Sequence, residues 1–274
     1  MTEAEPWVPV FAMSDAADNG ELIAECVKLK YLAPEWPTLD PTFGNGRFWS
    51  EFRPDDLTAS DLNPTKSPLG RGVDFRPAMS GFAPKSFRAV VIDPPYKLNG
   101  TSGGGGAATS DEDYGVEKWA SADDRHELMR LMMTEGRRLL IPARTPVPGT
   151  RRTELIGGYL LFKCQDQVNS GRVHWQTRMF ADHGEKLGMT LVDMLHLRSY
   201  RAQPEKCETC HHTRKAHPQD GRCTKVAKGA PCTCEEFVLD TSQDHARRNY
   251  STLLVFRLVR EQEPTPAVEN TLFA

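Results

Sequence analysis

The run Phe87-Arg88-Ala89-Val90-Val91-Ile92-Asp93-Pro94-Pro95-Tyr96 limits the possible folds more than any other stretch of the chain. Ala89 to Ile92 are continuously apolar, as in a strand covered on both faces, which is the habit of a parallel sheet with helices on either side. The run then ends at an acid and two prolines. Each proline holds φ at roughly −65° and has no N–H to donate, and the residue before a proline is pushed toward extended backbone. Asp93 therefore stands on a stiff corner at the carboxyl end of an interior strand. In open α/β sheets, ligands bind along that rim.

The remaining sequence suits such a sheet. Residues 21–33, ELIAECVKLKYLA, space their apolar side chains as an amphipathic helix does, with Asp18 or Asn19 as its cap. Strands are expected at 37–40, 57–61, 157–166, 189–197 and 250–259, and helices at 124–140 and 173–188. Strands alternating with helices predict an α/β chain with a doubly wound sheet. Residues 62–85 are rich in Pro, Gly and Ser and read as loop. Residues 99–110, NGTSGGGGAATS, read as a lid beside the Asp93 corner. Residues 1–20 are expected to be irregular and residues 261–274 a disordered tail. Lys163 and Asp166, polar residues at a strand end, can touch a ligand or cap a helix.

Composition narrows the function. With 274 residues, 39% of them hydrophobic, the chain can bury one sizeable core and carry a small accessory module. Lys plus Arg number 34 against 37 Asp plus Glu, for a net charge of −3, so any surface that binds nucleic acid must be local. No apolar run approaches the ~20 residues that span a bilayer, and the start of the chain lacks the basic-then-apolar layout of a signal peptide. A cytoplasmic protein with no membrane contact is expected.

At the corner, the Asp93 carboxylate and the Pro94 carbonyl offer two acceptors to one small space, which suits a group with two N–H donors such as a nucleobase amine. Tyr96 adds a ring face for stacking. Asp-Pro-Pro-Tyr after an apolar strand resembles the signature of the S-adenosylmethionine-dependent amino-methyltransferases, which methylate the exocyclic amine of adenine or cytosine. A second stretch, LDPTFGNGRFW, looks like the cofactor loop of that family, matched by Asp40, Phe43, Gly44, Asn45 and Gly46. Glycines there let the backbone approach a ligand without a Cβ in the way.

The resemblance implies several roles. Asp61, ending LTASD, would hold the cofactor ribose hydroxyls. Asp74 would accept the amine of the cofactor adenine, with Phe75 packed on the ring. Asp93, Pro94, Pro95 and Tyr96 would form the catalytic corner. These motifs follow the unpermuted order of the family, and the likeness covers most of residues 20–200 plus the last strand. It implies a Rossmann-like seven-stranded methyltransferase fold, S-adenosylmethionine as cofactor, direct transfer without a covalent intermediate, and DNA as substrate. Adenine N6 is favoured over cytosine N4, from a base flipped out of its stack. RNA stays open as a substrate, as does a non-catalytic zinc-dependent nucleic-acid adaptor on a degenerate methyltransferase fold. The related protein glutamine methyltransferases carry Asn where Asp93 stands. For the carboxylate end of the cofactor, the 13–32 region with Ser14 is the one candidate.

Two cysteines, Cys26 and Cys164, sit alone in apolar surroundings and read as small core residues. The other five cluster with histidines in CETCHHTRKAHPQDGRCTKVAKGAPCTC, residues 207–234. In a reducing compartment such a cluster predicts metal before disulfide. Eight candidates are too many for one tetrahedral ion, so either two ions bind or some residues are bystanders. The pattern C-H-H-x4-H with a following C and C-x-C resembles short zinc-binding modules of actinobacterial and phage proteins, and that resemblance implies Cys207, Cys210, His212, His217, Cys223, Cys232 and Cys234 as ligands of one or two structural Zn2+ ions, with His211 a bystander. From 198 to 228, eight Lys or Arg face three acids, a local charge of +5 that can meet phosphate. The expected organisation is an irregular segment at 1–20, a methyltransferase domain at 21–197 plus 245–260, a zinc insertion at 198–244, and a tail at 261–274.

Overall fold

The computed structural model describes residues 9–98, 121–146, 149, 151, 153–169, 172–198, 207–210, 212, 214–227, 230–238 and 250–259. Two compact units emerge, residues 1–198 with 250–274, and residues 199–249. The larger unit is built on one sheet. Its strands are β1 (Met13–Ser14), β2 (Thr38–Asp40), β3 (Leu57–Ala59), β4 (Ala89–Ile92), β5 (Tyr159–Cys164), β6 (Thr190–Arg198) and β7 (Tyr250–Arg257). They lie side by side in the order β1-β6-β7-β5-β4-β2-β3. Only β7 runs against its neighbours. It pairs antiparallel with β6 and β5, whereas β4 is parallel to both β2 and β5. This is a mainly parallel, Rossmann-like seven-stranded sheet in an α/β chain, as the sequence leads one to expect.

The strand β4 shows why the sheet needs cover on both faces. Val90 and Ile92 enter one apolar cluster with Leu160, Phe162 and Phe256, roofed by α2 (Ala122–Leu139) and α3 (Gln176–Lys186). Ala89 and Val91 point the other way, into a cluster with Leu161 and Val255, covered by α1 (Asn19–Lys28) and the turn at Phe48 and Trp49. All four β4 residues are fully buried. Burial at about 25 cal/mol per Å² of apolar surface makes these two faces the main source of stability. On the α3 side the approach is so close that a Cβ on Gly184 would come within 2.3 Å of the Phe256 ring.

Local chemistry sets the helix ends. Asp18 caps α1 by accepting from the Gly20 and Glu21 N–H groups at 2.8 and 3.2 Å. In α2, Ser121 and Asp124 form a reciprocal capping box. Cys26 and Cys164 are fully buried, and burial pushes both thiols well above the ordinary range, so they act as core residues.

Three features depart from the sequence reading. The 1–20 segment is not wholly irregular, because Met13–Ser14 adds the seventh strand, parallel to β6. Residues 172–174 pair with Gln167–Asn169, so helix α3 starts only at Gln176, and Trp175 before it is half exposed. A second hairpin joins 144–146 to 153–155. The lid expected at 99–110 and the tail expected at 261–274 lie outside the described residues. Among the described residues, no helix is long and apolar enough to cross a membrane.

Candidate functional site

The Asp93 corner is held from several directions. Pro94 and Pro95 are buried, and the Tyr96 N–H donates to the Pro94 carbonyl at 2.7 Å, closing a three-residue turn. The Tyr96 carbonyl accepts from two amides, Gln167 Nε2 at 2.6 Å and Gln176 Nε2 at 2.7 Å. Gln176 is fully buried at the start of α3, so that helix locks the corner. The Asp93 side chain is 27% exposed as a whole, but its Oδ1 is buried and has no hydrogen-bond partner. That atom faces the Lys163 ammonium at 3.6 Å. Lys163 is itself buried, donates to Asn19 Oδ1 at 2.8 Å, and lies 5.5 Å from the Tyr96 ring centre. Burial pushes the Asp93 carboxyl above the usual carboxylate range, and the Lys163 charge pulls it partly back. Asp166, by contrast, takes the bland role of accepting from the Thr177 N–H at 2.8 Å near the start of α3.

The glycine loop after β2 meets this corner through Thr42. The Thr42 hydroxyl accepts from the Asp93 N–H at 2.8 Å and donates to Asp40 Oδ1 at 3.2 Å. Asp40 Oδ1 also accepts from the Thr42 N–H, and Oδ2 accepts from the Trp49 indole at 2.7 Å. Asp40 therefore points into the protein and braces the loop. Farther along, the Gly44 N–H donates to Asp61 Oδ2 at 2.8 Å and the Asn63 N–H to Oδ1 at 2.9 Å. Gly44 and Gly46 have φ of +54° and +69°, and a Cβ on Gly46 would come within 2.7 Å of the Phe43 ring. Both positions favour glycine for that reason. Asn45, at the tip, is exposed.

Burial raises the Asp40 carboxyl to about 7, against three hydrogen bonds that favour its charged form. The sign of the resulting pH effect is definite. A carboxyl that binds its proton more tightly folded than unfolded contributes stability in full below about 4 and loses it as pH rises through about 7. Asn at this position does not titrate, and its NH2 group must confront the Thr42 or Trp49 donor, at a cost of about 1–3 kcal/mol. Asp40→Asn is thus expected to be less stable than the parent at pH 5, by a margin that narrows at pH 8. Urea unfolding at the two pH values measures it.

Between the loop and the corner lies an open cleft, about 370 Å³ when the solvent at its mouth is counted, walled by Thr42, Asp61, Asp74, Phe75, Pro95 and Met132 among others. The acids expected at the ribose and adenine, Asp61 and Asp74, thus come to one cavity with Phe75 and one residue of the corner. Phe75 is buried and anchored in the core, whereas Asp74 is paired with the exposed Arg76. The residues fit an adenosine group. There are carboxylates for hydroxyls and an amine, an apolar wall for a ring, and a backbone turn in which Gly44 and Gly46 carry no Cβ. Ser14 is buried and donates to Glu25 Oε2 at 2.6 Å. The segment next to it, at Asn19, is the one that reaches Lys163.

Sequence reasoning missed Thr42, Asn19, Gln167 and Gln176. Only Thr42 left a signal, as a hydroxyl inside the acid-to-glycine stretch. Lys163 was singled out as a polar strand-end residue able to touch a ligand, but its pairing with Asp93 was not foreseen.

In the smaller unit, all seven expected metal ligands converge in two overlapping groups. One is Cys207, Cys210, His217 and Cys234, and the other is Cys210, His212, Cys223 and Cys232. His211 lies outside the described residues. The donor atoms suit zinc, which takes thiolate and imidazole in tetrahedral sites.

No family model matches the chain, and no curated protein matches it. Among solved structures it is similar to a putative methyltransferase from Bacillus halodurans C-125, with 12% identity and a TM-score of 0.44 over 87% of this chain and 99% of that one. The fold assignment rests on the strand order and directions, and the reading of the site on its own residues.

Proposed function

We propose that the chain transfers a methyl group from S-adenosylmethionine to the exocyclic amine of a nucleobase, with adenine N6 in DNA as the favoured target. The observation that carries this reading is Asp93 Oδ1, a buried acceptor without a hydrogen-bond partner beside a cleft suited to adenosine. The Lys163 ammonium at 3.6 Å is too far for a normal hydrogen bond to this atom, and buried polar atoms in native proteins almost always find a hydrogen-bond partner, which supports a donor from a ligand here.

When bound, the cofactor supplies an electrophilic methyl group. The rest falls to the chain. Asp61, Asp74 and Phe75 hold the adenosine end, and the turn at Gly44–Gly46 admits the amino-acid end. Asp93 accepts one hydrogen of the target amine. The Pro94 carbonyl, which has a second lone pair beyond that used by the Tyr96 N–H, accepts the other. Tyr96 gives a ring against which the base rests. As positive charge grows on the nitrogen, the carboxylate stabilises it. Burial raises the proton affinity of Asp93, which makes it a ready acceptor for the proton that the methylated amine must lose.

Incubating the protein with isotopically labelled S-adenosylmethionine and DNA or RNA, then digesting to nucleosides for mass spectrometry, tests the reading. Labelled N6-methyladenine from DNA is the expected product. A label found only in RNA nucleosides would move the substrate to RNA. Cofactor binding with no methylated nucleoside from either polymer would overturn the assignment.

A further inference from the structure

Among its described residues the smaller unit brings together seven ligand side chains, whereas two separate tetrahedral ions need eight bonds. Its two groups of four share one residue, Cys210, and in each group all donor atoms lie within 4.8 Å of one another. We infer that this unit binds a two-zinc cluster in which the Cys210 thiolate bridges both ions, with Cys207, His217 and Cys234 completing one site and His212, Cys223 and Cys232 the other.

The chemistry of the shared residue is right. A thiolate sulfur has several lone pairs and can bond two ions at once, whereas a neutral imidazole offers a single lone pair. The distances suit a metal as well. Zn–S bonds of about 2.3 Å and Zn–N bonds of about 2.0–2.1 Å place tetrahedral ligands about 3.8 Å apart for two sulfurs and about 3.5 Å for sulfur and nitrogen. Here Cys207 Sγ and Cys234 Sγ are 3.6 Å apart. Cys210 Sγ lies 3.3 Å from His217 Nε2, and Cys223 Sγ 3.2 Å from His212 Nδ1. A disulfide would draw two sulfurs to about 2.05 Å, and all five cysteines here are free.

The surroundings hold the ligands in place. The ring of His217 contacts the Gly221 carbonyl through Nδ1 at 2.8 Å, so Nδ1 carries the proton and Nε2 is left as the metal-binding atom. Cys207, Cys223 and Cys232 each donate a backbone N–H to a carbonyl within the unit, at 2.8, 2.9 and 2.8 Å. Among the described residues, the buried members of this unit are Cys207, Ala216, His217, Cys223 and Cys234, with Cys210, Cys232 and Phe237 packed against the apolar ones. A unit whose core is mostly thiol lacks the apolar area to fold by burial alone, and metal bonds are the available replacement.

The stoichiometry and the bridge are tested on the full chain. Native mass spectrometry of the zinc-loaded protein is expected to show two Zn2+ per chain, and Cys210→Ser at most one. His211→Ala is expected to keep two. One zinc in the folded parent, or two in Cys210→Ser, would overturn the bridge. Loss of an ion in His211→Ala would replace it with two unbridged sites. Because Cys210→Ser can fail to fold, the parent is also reconstituted with 113Cd2+. Proton–cadmium NMR is then expected to correlate the Cys210 Hβ protons with two cadmium resonances. Correlation with only one would sink the inference without any variant.

Discussion

Asp93→Ala is expected to lower methyl transfer on the order of 10²-fold or more, while cofactor binding stays close to that of the parent. The carboxylate is the one charged acceptor at the corner, and its buried Oδ1 has no competing hydrogen bond. It lies outside the walls of the cleft proposed for the cofactor, which the corner reaches through Pro95. Single-turnover assays with saturating cofactor, paired with calorimetric cofactor binding, separate the two effects. Near-parental turnover would remove Asp93 from the chemistry. Lys163→Met supplies a control with a different signature. Burial favours the neutral form of Asp93 and the ammonium 3.6 Å away opposes that. Without Lys163 the carboxyl should take up its proton at higher pH, so the acidic limb of the pH–rate profile moves to higher pH. A purely structural role for Lys163 would lower activity evenly across pH.

The second large effect is expected at Asp61. Its two oxygens accept from the Gly44 and Asn63 N–H groups at 2.8 and 2.9 Å, and the residue also walls the cleft. Asp61→Ala removes a charged acceptor from two backbone donors and from the cofactor at once. Hydrogen bonds to charged groups are worth about 1.5–3 kcal/mol, so affinity for S-adenosylmethionine should fall about 10- to 100-fold. Isothermal titration calorimetry measures this directly. Unchanged affinity in a folded variant would refute both the ribose role and the anchoring of the glycine turn.

These expectations draw unequally on sequence and structure. The corner was legible because proline geometry is local, and four apolar residues before an acid signal a buried strand wherever they occur. The helix at α1 and its Asp18 cap were legible for the same reason. The strand Met13–Ser14 was not. Two residues carry no periodicity, and its only support is a neighbour some 180 residues away, at His196 and Leu197. The pairing of 167–169 with 172–174 was not foreseen, and the helix expected from 173 took in Val173 and His174, because strands of three residues show no alternation strong enough to compete with the helical pattern that follows.

The candidate site divides along the same line. Asp40, Asp61 and Asp74 are all acids near strand ends or turns, and their neighbours in sequence do not show which way each side chain points. Folding does. It turns Asp40 inward onto Trp49, sets Asp61 under the glycine turn and pairs Asp74 with Arg76. The cysteine cluster announced metal by composition, but its division into two groups with Cys210 in common depends on how the turns bring donor atoms within reach.

The sequence alone determined which chemistry is present and where the backbone must stiffen, because side-chain identity and φ restriction belong to single residues and their immediate neighbours. Tertiary structure decided which of those groups face one another. Lys163 meets Asp93 and Asn19, and Gln176 meets Tyr96, across separations of 70, 144 and 80 residues. Contacts of that kind arise only when the two faces of the sheet are buried together, since no short-range preference encodes them.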